Sequence, residues 1–356
     1  MKSLVPCFLS VALASAASWA VAQTTPSTAL LALSKQDHTL SIIDPTDLHI
    51  VATVPVGDDP HEVVASTDGK TAYVSNYGFG AFHTLAVIDL VEHTRLASVE
   101  LGALRGPHGL DFKKGKVWFT AEAAKAIGSY DPATGTVDWI MGTGQDRTHM
   151  LYAFADGKRV VTTNVSSATV TVMEKTEGRA GGPPPGMPLP DAGGPPPGMP
   201  PGPPPGPPGG DWKLTVIPVG HGAEGFDVSP DGKEAWVANA QDGTVSIIDI
   251  AQKNGTATLA ANVRGANRLK FTPDGKRVLI TAGSALVILD AATHAEVKRL
   301  SSVHGSGGIQ MQPDGARAFV ACGRDGYVAA IDLNTLELAG KIMIASPDGL
   351  AWAVRQ

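Results

Sequence analysis

Residues 69–109, GKTAYVSNYGFGAFHTLAVIDLVEHTRLASVELGALRGPHG, hold one structural unit and the start of the next. AYVSN, TLAVID and RLASVELG are apolar runs of strand length, and PHGLDF opens another. Gly, Asn, Asp or Pro separates them, as expected of short strands joined by turns. The acid that ends the third strand, Asp89 here, recurs as Asp44, Asp131, Glu174, Asp249, Asp290 and Asp332. Successive spacings along that column are 45, 42, 43, 75, 41 and 42 residues, by subtraction of the positions. A period of about 42 with four strands per unit predicts an all-β chain, a seven-bladed β-propeller of four-stranded antiparallel blades.

The ends of the chain support seven. The turn before the second strand reads STDG, FADG, SPDG, TPDG and QPDG in five units and is shortened to KKG, ending at Gly115, in another. The first unit lacks it, because the chain enters on ALLALS, and the missing inner strand reappears at the C-terminus as PDGLAWAVRQ. The last strand is therefore expected to complete the first blade, which seals the ring and removes two sheet edges. An Asp at a strand end can accept from turn amides two residues on, so the seven-acid column reads as structural.

Residues 1–22 read as a Sec-type signal peptide: Lys2, a mostly apolar stretch from Leu4 to Val21, and a small-x-small site at Ala20-Val21-Ala22. Cleavage there makes Gln23 the mature terminus, leaves no membrane span and sends residues 23–356, a single propeller, to the periplasm or outside the cell. Cleavage also removes Cys7, so Cys322 stands alone at a strand end, expected to be half-buried and without a disulfide. No CxxCH is present, which excludes covalent c-type haem. A formal net charge of −6 argues against nucleic acid as a partner. No helix of useful length is expected.

The spacing of 75 contains an insert, residues 181–210, with 15 of the chain's 27 prolines and GGPPPGMP twice. It falls between the third and fourth strands of blade four and is expected to be a solvated, polyproline-II-biased loop. It reads either as a tolerated insertion or as a tether for a partner or for cell-envelope material.

The candidate site comes from a second column. Seven residues before the Asp of each turn stand His61, His149, Glu224, Asn267 and Gly307; aligning PHG adds His108, and PDG adds Asp348. This is the start of the innermost strand, so all seven are expected to face one mouth of the central channel. Three residues earlier stand Asp58, Arg105, Asp146, His221, Arg264, His304 and Ala345. The long loop NYGFGAFHT of blade two, with Tyr77, Phe79, Phe82 and His83, could wall the pocket. Three readings stay open. His61, His108, His149 and Glu224 are a ligand set for a divalent metal ion, which could activate water for hydrolysis while Arg105 and Arg264 attract an anion. The same histidines could cap turns. Or His61, His108, His149, Glu224, Asn267, Asp348, Arg105 and Arg264 could form a metal-free polar binding site. No GxSxG, phosphate loop or HExxH is present. His38, His49, His93 and His294 fall in loops and turns and read as solvated.

AYVSNYG, TLAVIDL, PHEVVASTDGKTAYV and GFDVSPDGKEAWVANAQDGTVSIID closely resemble the YVTN-type β-propeller repeat, over nearly the whole mature chain. The resemblance implies a secreted or surface-associated protein and a PHG motif that belongs to the repeat; it names no activity. Seven-bladed lactonases and the copper-binding propeller of nitrous oxide reductase share the general shape, and the sequence matches neither in detail. The sequence therefore points first to a binding or scaffold protein that takes a small molecule or a protein at the channel mouth. A metal-assisted, lactonase-like hydrolase is the alternative.

Overall fold

The middle strands of each unit are apolar on both faces. Thr71–Asn76, Thr84–Asp89, Glu234–Asn239 and Thr244–Asp249 are buried at nearly every position. Such strands need cover on two sides, and a ring of sheets stacked face to face supplies it. Outer strands alternate instead: Glu337–Met343 exposes every second residue. In this computed structural model, residues 24–176, 211–305 and 307–355 are described. The expected signal peptide and the proline-rich insert lie outside the described residues.

The described residues form seven antiparallel sheets, one per predicted unit. The first is closed as expected: Pro347–Val354 pairs with Thr28–Ser34, which pairs with Thr39–Ile43 and then Ile50–Pro55. Apolar layers cross the blade boundaries. Leu31, Leu33 and Ala351 of blade one pack with Val63, Val74 and Ile88 of blade two. The acid column does the turn work assigned to it: Asp44, Asp89, Asp131, Asp249, Asp290 and Asp332 accept from turn amides two or three residues on. Glu174 pairs with Lys253 instead.

Three details differ from the sequence expectation. The outer strand of blade two is split into Thr94–Arg95 and Val99–Glu100. Cys322 is fully buried, and burial pushes its thiol up to about 11. Two short 3-10 turns, Gly78–Gly80 and Glu122–Ala124, follow the second strands of blades two and three.

The inner strands carry a repeated irregularity. Residues 61–62 stand opposite the single residue 75, because pairing runs Pro60↔Asn76 and then Val63↔Val74. The same two-against-one count recurs at 108–109 against 120, 149–150 against 163, 224–225 against 238, and 348–349 against 33. These are β-bulges, which re-aim a side chain out of the ladder. Every one begins on a residue of the predicted ring.

Glycine at the second bulge position lets neighbouring blades touch. A Cβ on Gly109 would lie 2.6 Å from the His149 carbonyl oxygen, and one on Gly225 would lie 2.5 Å from Arg268 Cα. On Gly349 it would lie 2.5 Å from the His61 carbonyl oxygen. The neighbouring atoms are backbone, so they cannot yield as a flexible side chain would. Gly225→Ala is therefore expected to cost about 2–3 kcal/mol in denaturant unfolding. Gly142→Ala, where a Cβ meets nothing within 4 Å, should be close to neutral.

Candidate functional site

Each bulge leaves inner-strand backbone groups without ladder partners, and in three consecutive blades a hydroxyl supplies them. Ser75 Oγ accepts from the Glu62 N–H at 3.0 Å and donates to the His108 carbonyl at 2.9 Å. Thr120 Oγ1 accepts from the Gly109 N–H at 2.8 Å and donates to the His149 carbonyl at 2.7 Å. Thr163 Oγ1 accepts from the Met150 N–H at 3.3 Å and donates to the Glu224 carbonyl at 3.0 Å. Each hydroxyl thus ties its own blade's bulge to the ring residue of the next blade. Three ring side chains, His108, His149 and Glu224, are pinned this way.

The result is a row of imidazoles. Ring centroids are 4.6 Å apart for His61–His108 and 3.9 Å for His108–His149. Tyr77 stands edge-on to both His61 and His108. His61 Nε2 accepts from Lys35 Nζ at 2.6 Å, which assigns its proton to Nδ1, 3.2 Å from Asp348 Oδ2. His149 Nδ1 is hydrogen-bonded to Glu122 Oε1, and its Nε2 lies 2.8 Å from Glu224 Oε2 without hydrogen-bond alignment. Tyr77 donates to Glu122 Oε2 at 2.6 Å. Arg147 lies 3.7 Å from Glu122 and 3.8 Å from Glu224.

These environments set neighbouring histidines apart. Burial, reinforced by charge on the neighbouring His149, holds His108 well below 6.5, so it is neutral. Burial also opposes charge on His149, but Glu122 and Glu224 outweigh it and raise its pKa. Glu224 is half-buried, which alone would raise it, yet His149, Arg147 and Arg268 hold it down at about 2.

A cavity of about 680 Å³ opens over this row. It is lined by six of the predicted residues, His61, His108, His149, Glu224, Asn267 and Asp348, together with Tyr77 and Phe79 of the long loop. Gly307 has no side chain to contribute. The structure does not bring Arg105 or Arg264 to it. Arg105 is exposed and donates to the Ala81 carbonyl, and Arg264 borders a separate depression with His304 and Asp325. The cationic side chains at the mouth are Lys35, Arg147, Arg268 and Arg324. Beneath, a narrower space of about 250 Å³ follows the channel, with Asp111, Asp227 and Lys270 in its wall. Arg268 lines both spaces and is ion-paired to Glu62.

Glu122 and Lys35 were not among the sequence candidates, and a signal for them exists. They occupy the column one step past the second strand: Lys35, Tyr77, Glu122, Val165, Ala240, Gly283 and Gly323. Of the four histidines read as solvated, His38 and His49 are exposed beside Asp58 and Asp47. His93 bonds to Thr25, and His294 packs edge-on to Trp236.

No protein-family profile and no curated protein sequence matches the chain. Solved structures match its fold. A protein of unknown function from Desulfotomaculum acetoxidans aligns with a TM-score of 0.69 at 13% identity, over 92% of this chain and 99% of that one. Candidate 6-phosphogluconolactonases from Bacteroides uniformis and Bacteroides fragilis align at 0.67 and 0.66, with 15% and 16% identity. They cover 91% and 92% of this chain and 99% of their own. At such identities the likeness is one of fold, the seven-bladed propeller.

Two outcomes are expected. Thr120→Val removes the partner of two buried backbone groups and should cost about 1–3 kcal/mol in denaturant unfolding, whereas Thr120→Ser restores most of it. Burial raises the Asp111 carboxyl above 3.8, despite Lys113 and the Ala153 N–H that Asp111 Oδ2 accepts. A raised carboxyl makes ionisation cost stability: the penalty is absent below the unfolded value and full above the folded one. Asp111→Asn keeps an acceptor for Ala153, so its melting temperature at pH 7 should equal or exceed wild type, with any gain shrinking toward pH 3.

Proposed function

We propose that this chain is a secreted binding protein that takes a small anionic molecule at the channel mouth. The observation that supports this reading is the surplus of cationic side chains in the cavity lining, four against the carboxylates of Glu224 and Asp348. The chain carries a formal net charge of −6, yet Lys35, Arg147, Arg268 and Arg324 all line one cavity. Lys35 is matched by Asp59 and Asp348, and Arg268 by Glu62. Arg147 is shared between Glu122 and Glu224 at 3.7 and 3.8 Å yet is about half exposed, and Arg324 has no carboxylate within ion-pair distance among the described residues. Arg324 and the exposed side of Arg147 are therefore offered to a carboxylate or phosphate, the groups that a guanidinium binds best. Phe79 stands at the rim, 91% exposed, on a backbone with φ of 51°. A bulky residue held in that conformation over a cavity suits stacking on a bound ring. Secretion is supported by the apolar N-terminal stretch ending at Ala20-Val21-Ala22.

The imidazole row favours a second reading, a metal-assisted hydrolase acting on a lactone at the same mouth. The candidate lactonases among the structural neighbours support it through fold alone.

Calorimetric titration of the mature protein with 6-phosphogluconate, D-gluconate and neutral glucose tests the first reading. The two anions should bind, the dianionic phosphate ester more tightly. Arg147→Ala and Arg324→Ala should each weaken binding about tenfold, the scale of one charge-assisted hydrogen bond. Glucose binding as well as the anions, or indifference to both substitutions, would refute it. Turnover of 6-phosphogluconolactone, lost in His149→Ala, would favour the hydrolase.

A further inference from the structure

The geometry points to a divalent transition-metal site held by His108, His149 and Glu122, the ion site that the hydrolase reading needs, independent of whether an anion binds. One donor atom from each of the three lies within 4.8 Å of the other two. A first-row ion needs its ligand atoms about 2.0–2.2 Å from itself, so small side-chain rotations close this set around one ion. All three residues are buried, at 3%, 3% and 5% exposure.

A second observation is independent of proximity. His108 Nδ1 and His149 Nε2 are both buried without a hydrogen-bond partner. Buried polar atoms nearly always have partners; His149 Nε2 at least faces the Glu224 carboxylate at 2.8 Å, but His108 Nδ1, on a ring 3.9 Å from that of His149, has none and calls for a group that accepts its lone pair. Two imidazoles and a carboxylate are the donor chemistry of zinc, cobalt or copper.

The mount is rigid. Ser75 and Thr120 pin the backbone carbonyls of His108 and His149. The Tyr77 hydroxyl holds the second oxygen of Glu122, and Glu224 lies 2.8 Å from His149 Nε2. Such outer partners orient ligands in metal sites. The set differs from the one drawn from the repeat column. His61 is engaged by Lys35 and Asp348, and the carboxylate comes from the 3-10 turn at Glu122 rather than from Glu224. The cavity reaches His108 and His149 of the set, leaving room for water or an anionic ligand on the ion.

Chelator-treated mature protein, titrated with Zn²⁺ and Co²⁺, tests this. One ion per chain is expected, and Co²⁺ should give visible d–d absorption of a nitrogen–oxygen site. His108→Ala and Glu122→Gln should each lower Zn²⁺ affinity at least 100-fold, and Glu224→Gln about tenfold. His49→Ala removes the exposed Asp44–Asp47–His49 cluster and should change nothing. Uptake that survives His108→Ala and Glu122→Gln, or vanishes in His49→Ala, overturns the site. If either variant fails to fold, the wild-type Co²⁺ spectrum decides, and absence of the bands overturns it. Anion binding retained by metal-free protein would show that the two readings stand or fall separately.

Discussion

The hydroxyl that fills the bulge in blades two, three and four is the contact on which the channel mouth depends. A bulge at the start of an inner strand turns a side chain toward the channel axis but strips two backbone groups of their ladder. Ser75, Thr120 and Thr163 satisfy those groups and reach across to the next blade's ring carbonyl. Blade-to-blade spacing and side-chain direction are thereby set together, which places His108, His149 and Glu224 in consecutive, linked frames. Where the opposing residue is Ala238 or Leu33, no such hydroxyl exists, and the tight group of imidazoles and carboxylates lies on the Ser75–Thr163 side.

Electrostatics follows from that frame. Five charged groups, Glu62, Glu122, His149, Glu224 and Arg268, are brought close together with little exposure. Burying ion pairs brings little net stability, since desolvation offsets attraction. Their arrangement instead holds each donor in one orientation. Glu122 and Glu224 bracket His149, Lys35 and Asp348 bracket His61, and His108 between them remains neutral. Arg147 reaches Glu122 and Glu224 from the half-exposed side, and Arg324 stays outside these pairs.

The ring was legible because the repeat is strict: one column of residues, counted back from the turn, maps onto one rim. Asp348 could be placed there only once the C-terminal strand was assigned to blade one. What stayed hidden was the bulge, since two-against-one pairing has no signature in composition or periodicity. Its hydroxyl partners were visible only as a Ser or Thr next to the Asn column, at Ser75 and Thr163. Glu122 escaped because it arises in a turn where four of the other six blades carry Val, Ala or Gly. Arg105 and Arg264 share the sequence spacing alone: Arg105 donates to the Ala81 carbonyl, and Arg264 borders the adjoining depression rather than the cavity.

Amide hydrogen exchange at Gly109 probes the account at its centre. Gly109 lies in an inner-strand bulge, and its N–H is held only by Thr120 Oγ1. If that hydroxyl fixes the mouth, the Gly109 amide exchanges as slowly as the interior amides of the neighbouring strand Lys116–Ala121. Exchange at the rate of an open loop would mean that the bulge is not clamped, and the convergence of His108 and His149 would lose its cause.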